Sequence, residues 1–166
     1  MATISIKITG DKETADMLKS ISEEIKNPLV PLDTSSKKYM NYISSNFEDE
    51  GKTFGKAWAP LRPATIAIKQ ALKDAGQAIE VEKPLVRTGL MRRSFGYEIK
   101  GNNESNIYNA TDYALIHQEG GNVLFKGRSR RIPKRTLAEV DDRRIQVVAM
   151  TFEAWVYGLI RKHKAE

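Results

Sequence analysis

The first part of the chain changes from a period-two pattern to a helical one. Ile4, Ile6 and Ile8 alternate with polar residues, which predicts a β-strand with one buried face. The next apolar residues recur at helical spacing, and this helix should end before Pro28, because proline interrupts helical hydrogen bonding. The apolar side of the helix is expected to carry Leu18, Ile21 and Ile25.

A second helix is predicted from the apolar spacing that follows. Asp33 or Thr34 is expected to cap its first turn, since short polar side chains accept hydrogen bonds from free backbone N–H groups. Residues 48–63 then combine charges, glycine, aromatic residues and proline, which favours a loop held to the body by its aromatic side chains. A short helix should begin at Pro63. The buried face of the second helix would hold Tyr39, Met40, Ile43 and Phe47.

The second half of the chain returns to strand patterns. Residues 95–99 alternate between large apolar residues and polar or small ones, residues 101–103 (Gly-Asn-Asn) favour a turn, and a partner strand should include Ile107. Residues 122–125 predict one more short strand. The segment is therefore expected to contain at least one β-hairpin.

The longest amphipathic pattern covers about residues 141–162 and predicts a C-terminal helix. Asp141 and Asp142 would lie at its positive end, where acidic side chains stabilise a helix. We therefore predict an α+β fold, with a small antiparallel or mixed sheet packed by N-terminal helices and by a long C-terminal helix, in a single domain over residues 1–166. The apolar stripe of this last helix would consist of Ile145, Val148, Ala149, Phe152, Trp155, Val156 and Leu159.

Composition excludes several classes of protein. With 166 residues, of which 40% are hydrophobic and 29% charged, the chain has the balance of a folded soluble protein. No apolar run approaches the roughly 20 residues that span a bilayer, so no membrane contact is expected. The start of the chain lacks the layout of a signal peptide. The absence of cysteine excludes a disulfide framework and a cysteine zinc site, and it fits synthesis and folding in a cytoplasm, without need of an oxidising compartment.

Nothing in the sequence predicts catalysis. The two histidines, His117 and His163, do not have the spacing of metal ligands, and no glycine-rich phosphate loop or nucleophile elbow is present. No catalytic residue, metal site or cofactor is therefore predicted. A small hydrolase would require a pocket with strongly perturbed carboxylates. His117 is expected to be a structural histidine that is hydrogen-bonded in a polar pocket.

The run from Tyr113 to Gly121 is the most distinctive short segment. On a strand, its apolar side chains would pack inward while His117 and Gln118 offered polar groups. Gly120 and Gly121 would let the backbone turn where a side chain would clash.

Positive charge is concentrated in one segment. The net charge is +6, and residues 126–135 contain six cations and no acid. A basic loop of this kind suits phosphate backbones, but it also suits acidic residues of a neighbouring subunit, for example those at positions 48–50. Few aromatic residues interleave with the cations, so base stacking is not supported. The cations are Lys126, Arg128, Arg130, Arg131, Lys134 and Arg135.

Three blocks, taken in order, resemble the phage virion morphogenesis, or tail-completion, family of Mu-like phages and prophages. The first is residues 54–65, with Gly55, Trp58, Leu61 and Thr65. The second is residues 84–94, which read Pro-Leu-Val-Arg-Thr-Gly-Leu-Met-Arg-Arg-Ser. The third is residues 113–121 followed by Ile-Pro-Lys-Arg at 132–135. The resemblance covers about residues 39–150. It departs from the family after Arg135, where the family usually continues its Ile-Pro with Arg-Pro-Phe-Leu.

The resemblance implies a structural protein without catalytic activity, which completes a phage tail or joins the tail to the head. It further implies a ring, of six copies by analogy with neck and tail-end proteins, within the virion tail or neck. The implied partners are other tail or neck proteins, with possible DNA contact in a lumen. The resemblance implies that Thr88 and Gly89 cap and start a short helix, and that Gly120 and Gly121 hinge the segment leading to the basic loop. The residues that would hold loops to the body are Trp58, Leu61, Leu85 and Tyr113.

One alternative from another class remains open. A DNA-binding accessory protein would use the same basic loop, and it would bind duplex DNA as a monomer or dimer with steep salt dependence.

Overall fold

The computed structural model describes residues 11–164. The strand predicted at the N-terminus lies outside the described residues. Six helices, named α1 to α6, and four strands, named β1 to β4, follow one another with a short 3-10 helix, Lys52–Phe54, after α2. The helices are α1 Asp11–Ile25, α2 Leu29–Glu48, α3 Pro63–Asp74, α4 Leu90–Arg93, α5 Ala114–Glu119 and α6 Asp142–Lys164. The strands are β1 Phe95–Lys100, β2 Glu104–Asn109, β3 Gly121–Phe125 and β4 Arg128–Ile132.

The strands form two separate antiparallel pairs, and the predicted α+β class is confirmed. In the first pair, Phe95 lies opposite Asn109 and Lys100 lies opposite Glu104. Helix α2 contacts both strands of this pair. The second pair, β3 with β4, stands apart from the first. The long helix α6 packs on α1 and α2, so α2 lies between α6 and the first strand pair.

Helix α2 starts earlier than the sequence indicates. It begins at Leu29, directly after Pro28, so neither Asp33 nor Thr34 caps it. Proline is compatible with a first helical turn, because the N–H groups there have no partner within the helix. Asp33 instead accepts hydrogen bonds from Lys37 Nζ (2.7 Å) and from the Tyr97 hydroxyl (2.6 Å). These bonds, first that from Lys37 and then that from Tyr97, lower the pKa of the Asp33 carboxyl.

The hydrophobic core forms where α2 meets the segments that follow it. Ile43 and Phe47 of α2 are almost completely buried, as the helical spacing predicts. Residues from the 3-10 helix, from the loop after it, from α4 and α5, and from the segment between β4 and α6 complete this cluster. They are Phe54, Trp58, Met91, Ala114 and Leu137.

The inward face of α6 differs from the predicted stripe. Arg144, Thr151 and Leu159 are buried, whereas Ile145 and Val148 are exposed. The reason lies at the start of the helix, where the Arg144 guanidinium inserts between aromatic rings. Its Cζ atom lies 4.9 Å from the ring centre of Tyr42 and 4.8 Å from that of Phe54. This contact fixes the rotation of α6 and turns part of its apolar stripe toward solvent.

Asp141, which directly precedes α6, makes two contacts at the start of this helix. Asp141 accepts a hydrogen bond from the backbone N–H of Arg144 (2.9 Å) and pairs with its guanidinium (2.7 Å). The same guanidinium donates to the carbonyl of Thr53. Asp141 therefore caps the helix and partners a buried cation. Among the described helices, none is long and apolar enough to cross a membrane.

Candidate functional site: a basic cleft and a projecting hairpin

The three sequence blocks meet around one cleft of about 1340 Å³, which we call the motif cleft. Helix α3, the turn before α4, helix α5 and the base of the β3–β4 hairpin form its walls. Most of the residues singled out from the sequence line it: Leu61, Thr88, Gly89, Tyr113, His117, Gly120, Gly121, Arg130, Arg131, Lys134 and Arg135. Trp58 lies in the core instead, and Lys126 and Arg128 lie at the far end of the hairpin.

Trp58 anchors the loop between α2 and α3. Its indole Nε1 donates a 2.8 Å hydrogen bond to the carbonyl of Thr136, and its ring meets Phe47 edge-on at 5.1 Å. Gly51 packs against the indole so closely that a Cβ atom there would lie 2.5 Å from Trp58 Cδ1. Gly51 was not singled out from the sequence. The available signal for its role was its position seven residues before Trp58, which is buried.

Thr88 and Gly89 begin helix α4. Gly89 has a φ of 71°, and the backbone N–H of Leu90 points at Thr88 Oγ1 at 3.4 Å. A Cβ at Gly89 would first meet the end of the flexible Arg93 side chain at 2.6 Å. The glycine is therefore required mainly for its backbone conformation.

The segment from Ala114 to Glu119 is helix α5 and not a strand. The side chains of a helix point in all directions around its axis, so α5 presents different side chains to the two sides of the molecule that it separates. Tyr113, which precedes it, and His117 face the motif cleft, whereas Leu115 and Gln118 face a different cavity on the other side.

His117 is half-buried, and the prediction that it is hydrogen-bonded is wrong for Nδ1. This atom is buried without a hydrogen-bond partner. The imidazole packs edge-on against the ring of Tyr113, with 6.4 Å between the ring centres. Burial lowers the pKa of His117, and the charge of Arg135 lowers it further. Both effects favour the neutral imidazole over the charged one.

Gly120 ends α5 in a conformation that only glycine adopts freely. Its φ is 71° and its ψ is 179°. A Cβ at this position would lie 2.7 Å from the backbone nitrogen of Lys134. The backbone turns here, as predicted, and a side chain would clash because the chain returns from the hairpin directly against this glycine.

After the hairpin, the chain is fixed to the body by hydrogen bonds over residues 135–138. The Arg135 guanidinium donates to the carbonyl of Ala59 from Nε (3.1 Å) and Nη2 (2.8 Å). The backbone N–H of Arg135 donates to the carbonyl of His117 at 2.7 Å. Arg135 is only 6% exposed, and burial lowers its pKa. Arg135 is therefore a structural cation, unlike the other cations of its segment.

Two side-chain amides complete this attachment: that of Gln118, which was predicted to offer polar groups, and that of Asn46, for which no role was predicted. Asn46, fully buried on α2, donates to the carbonyl of Thr136 at 2.9 Å and accepts from the N–H of Phe54 at 3.3 Å. Gln118 accepts from the N–H of Leu137 at 2.7 Å and donates to the carbonyl of Ala138 at 2.9 Å. The signal for Asn46 was its place between Ile43 and Phe47 on an otherwise apolar helical face.

The segment predicted as a basic loop, residues 126–135, instead contains a turn and strand β4, which pairs with β3, the strand predicted at residues 122–125. Strands β3 and β4 pair from Gly121 opposite Ile132 to Phe125 opposite Arg128. Lys126 and Gly127 have φ values of 49° and 72° and make a two-residue turn, in which positive φ matches the twist of the strands. We call residues 121–132 the arm, and within the described residues its strands make only sparse contacts with other elements.

The tip of the arm combines positive charge with exposed apolar surface. Leu124 is 81% exposed and Phe125 is 54% exposed. Lys126 Nζ and Arg130 Cζ lie 5.8 Å and 5.6 Å from the ring centre of Phe125. One aromatic ring, that of Phe125, therefore lies beside the cations of the arm.

The motif cleft is strongly basic. Its one acidic lining residue, Glu119, pairs with Lys134 at 3.7 Å. The Lys69 ammonium donates to the carbonyl of Lys83 (2.8 Å), and burial lowers its pKa. The exposed cations that remain are Arg62, Arg87, Arg130, Arg131 and Lys134. Such a surface attracts carboxylates or phosphates. Across residues 11–164, no group of three histidine, aspartate or glutamate side chains is placed to hold a metal ion.

Comparison with known proteins agrees with the arrangement of the three blocks. No curated protein and no solved structure shows significant similarity to the chain. The model of the phage virion morphogenesis family matches residues 10–157, which include the whole motif cleft and the arm. The chain therefore belongs to the phage virion morphogenesis family.

Proposed function

We propose that this protein is a structural component that completes the phage tail or joins the tail to the head, working as a ring at the tail end or neck. Family membership supports a role in building the virion. The observation that carries the more specific proposal is the arm, a projecting hairpin whose apolar tip has no packing partner within the described chain. Two-stranded hairpins are marginally stable alone in water, so an arm of this kind is suited to contact another subunit.

In this proposal the protein has no catalytic activity. The motif cleft holds one histidine and one carboxylate among several cations, and the described residues that line it include no cysteine. Its role is to receive acidic side chains of neighbouring tail or neck proteins. Six copies are expected in the assembled ring, while the isolated chain is expected to associate weakly.

The experiment is to disrupt the gene and to image the particles. Tails that fail to join heads, or that remain incomplete, are the expected result, together with copies of the chain at the tail end or neck of normal particles. Particles that lack the chain would contradict the proposal, and so would normally joined tails in its absence.

A second candidate is contact with DNA through the arm, because Phe125 and its neighbouring cations offer both a ring surface and phosphate-binding groups. The variant Arg128→Ala/Arg130→Ala/Arg131→Ala distinguishes the two candidates. If the arm contacts protein, this variant folds normally but assembles fewer particles. If assembly is normal and only DNA passage or retention fails, the arm belongs to the nucleic acid.

A further inference from the structure

A second cavity lies on the other side of helix α5 from the motif cleft. It is an open groove of about 720 Å³ between α2, the β1–β2 pair, α5 and the start of α6, and we call it the apolar groove. Leu115 and Val140, on its rim, are each 71% exposed. Val148, from the part of the α6 stripe that faces solvent, also lines it. Exposed apolar surface of this extent is typical of an interaction site.

The charges of the groove are opposite to those of the arm. No lysine or arginine lines the groove, and Glu139 does. Five more acids (Asp33, Glu104, Asp112, Glu119 and Asp141) and two cations (Lys37 and Lys38) are adjacent in sequence to lining residues. Asp33 pairs with Lys37, Glu119 with Lys134, Glu139 with Lys56 and Asp141 with Arg144, so the exposed Glu104 and Asp112 are the acids that give the rim its negative charge. The arm contains four cations and no acid.

The arm does not fill its own groove. Its base lines the motif cleft, on the opposite side of α5, and none of its residues lines the groove. A contact between one molecule's arm and another molecule's groove would join two different surfaces of the same chain. Contacts of this kind link copies head to tail and close into rings when the rotation allows it.

We propose that the tip of the arm, with Leu124 and Phe125, docks into the apolar groove of the next copy of this chain. The contact gives each tip residue an apolar environment and brings Lys126 and Arg128 to the acidic rim. It rests on the proposed ring and assigns the two surfaces that build it.

The chain contains no cysteine, so single cysteines test this contact directly. The first variant is Leu124→Cys, the second is Leu115→Cys, and the control is Ile68→Cys, an equally exposed aliphatic position in the motif cleft. The two test variants are mixed and oxidised over a series of concentrations. Because a disulfide needs Cα atoms within roughly 7 Å, the pair of Leu124→Cys with Leu115→Cys should give at least about tenfold more mixed dimer than the pair with Ile68→Cys.

The double variant Leu124→Cys/Leu115→Cys distinguishes the head-to-tail contact from its alternatives. A ladder of dimers, trimers and larger species is expected, because each copy then has both linking groups. A disulfide within one monomer would overturn the proposal, since the arm would then cover its own groove. Mixed dimer at the level of the control would overturn it as well.

A failure of the arm–groove contact can be distinguished experimentally from a failure of the proposed function. Each cysteine variant is also produced in cells that make particles, and the particles are examined for the chain. In one outcome, the chain is found at the tail or neck, with its copies joined by an amine-reactive cross-linker, while the disulfide between Leu124→Cys and Leu115→Cys stays at the control level. In that case the proposed ring is retained and the arm–groove contact is refuted. A partner protein captured by Leu115→Cys would assign the groove to that protein instead.

Discussion

The indole nitrogen of Trp58 and the carbonyl oxygen of Thr136 are joined by a 2.8 Å hydrogen bond across 78 residues of sequence. Asn46 donates to the same carbonyl. This oxygen thus connects α2, the loop before α3 and the segment that returns from the arm. The base of the arm is therefore held by the core, although its tip projects from it.

Replacing Trp58 by phenylalanine should lower the free energy of unfolding by about 1–3 kcal/mol. The substitution removes a buried hydrogen-bond donor and part of a large aromatic contact. Urea unfolding measures the change. Trp155→Phe is the control, because Trp155 lies half-buried on α6, and it should cost clearly less. Equal effects of the two substitutions would show that the Thr136 bond contributes little.

Gly120→Ala should destabilise the protein more than Gly127→Ala. Both positions have positive φ, so both substitutions introduce backbone strain of about 1–3 kcal/mol. Only at Gly120 does the new Cβ also meet backbone, 2.7 Å from the nitrogen of Lys134, while at Gly127 nothing lies within 4 Å. Thermal unfolding of the two variants measures the difference, and similar melting temperatures would exclude the steric contribution.

Stability should respond differently to removal of the Arg135 and Arg131 side chains, which both belong to the basic segment. Arg135→Ala should lower stability by about 1–3 kcal/mol, because it leaves the carbonyl of Ala59 without its buried donors. Arg131→Ala should leave stability within about 0.5 kcal/mol, since this side chain is exposed. Assembly into particles should show the reverse sensitivity. A stable Arg135→Ala protein that fails only in assembly would place Arg135 in the contact surface.

His117 should make stability depend on pH in the mildly acidic range. Its pKa lies below the usual 6.5 in the folded protein, first because of burial and then because of Arg135. As the pH falls through 6.5, the unfolded chain takes up a proton that the folded chain resists, so the free energy of unfolding decreases until the folded pKa is passed. Above about pH 7.5 the effect should vanish.

Melting temperatures between about pH 7.5 and 5 test this dependence. His117→Gln should flatten the profile in this range, whereas His163→Gln should not remove the contribution from His117. The carboxyls of Glu24 and Asp33, whose pKa values are lowered by their partners, lose their contribution only at more acidic pH. A profile unchanged by His117→Gln would contradict the prediction.

The parts of the fold that the sequence predicted best depend on local patterns. The spacing of Ile43 and Phe47 and the alternation in residues 95–99 each reflect a single buried face, so periodicity was sufficient to find them. The resemblance likewise found the residues that line the motif cleft, because each block supplies one wall.

The errors arose where a tertiary contact outweighed the local pattern. The rotation of α6 is set by Arg144 between two aromatic rings, which hydrophobic spacing does not reveal. The inward turn of Arg135 depends on a carbonyl that lies 76 residues away in sequence. In the arm, β3 agrees with the strand predicted at residues 122–125, whereas β4 was predicted as a loop because it carries charges in place of an apolar face. The pairing of the two strands is visible mainly in the turn formed by Lys126 and Gly127.

The attachment of the arm affects how the protein can diverge. Side chains on the exposed part of the hairpin contribute little to the free energy of folding, while the residues that secure its base are buried and constrained. Substitutions at positions such as Leu124 and Arg128 should therefore leave the body that carries the arm stable. In the proposed contact, a change of partner would need only a few substitutions at one end of a hairpin.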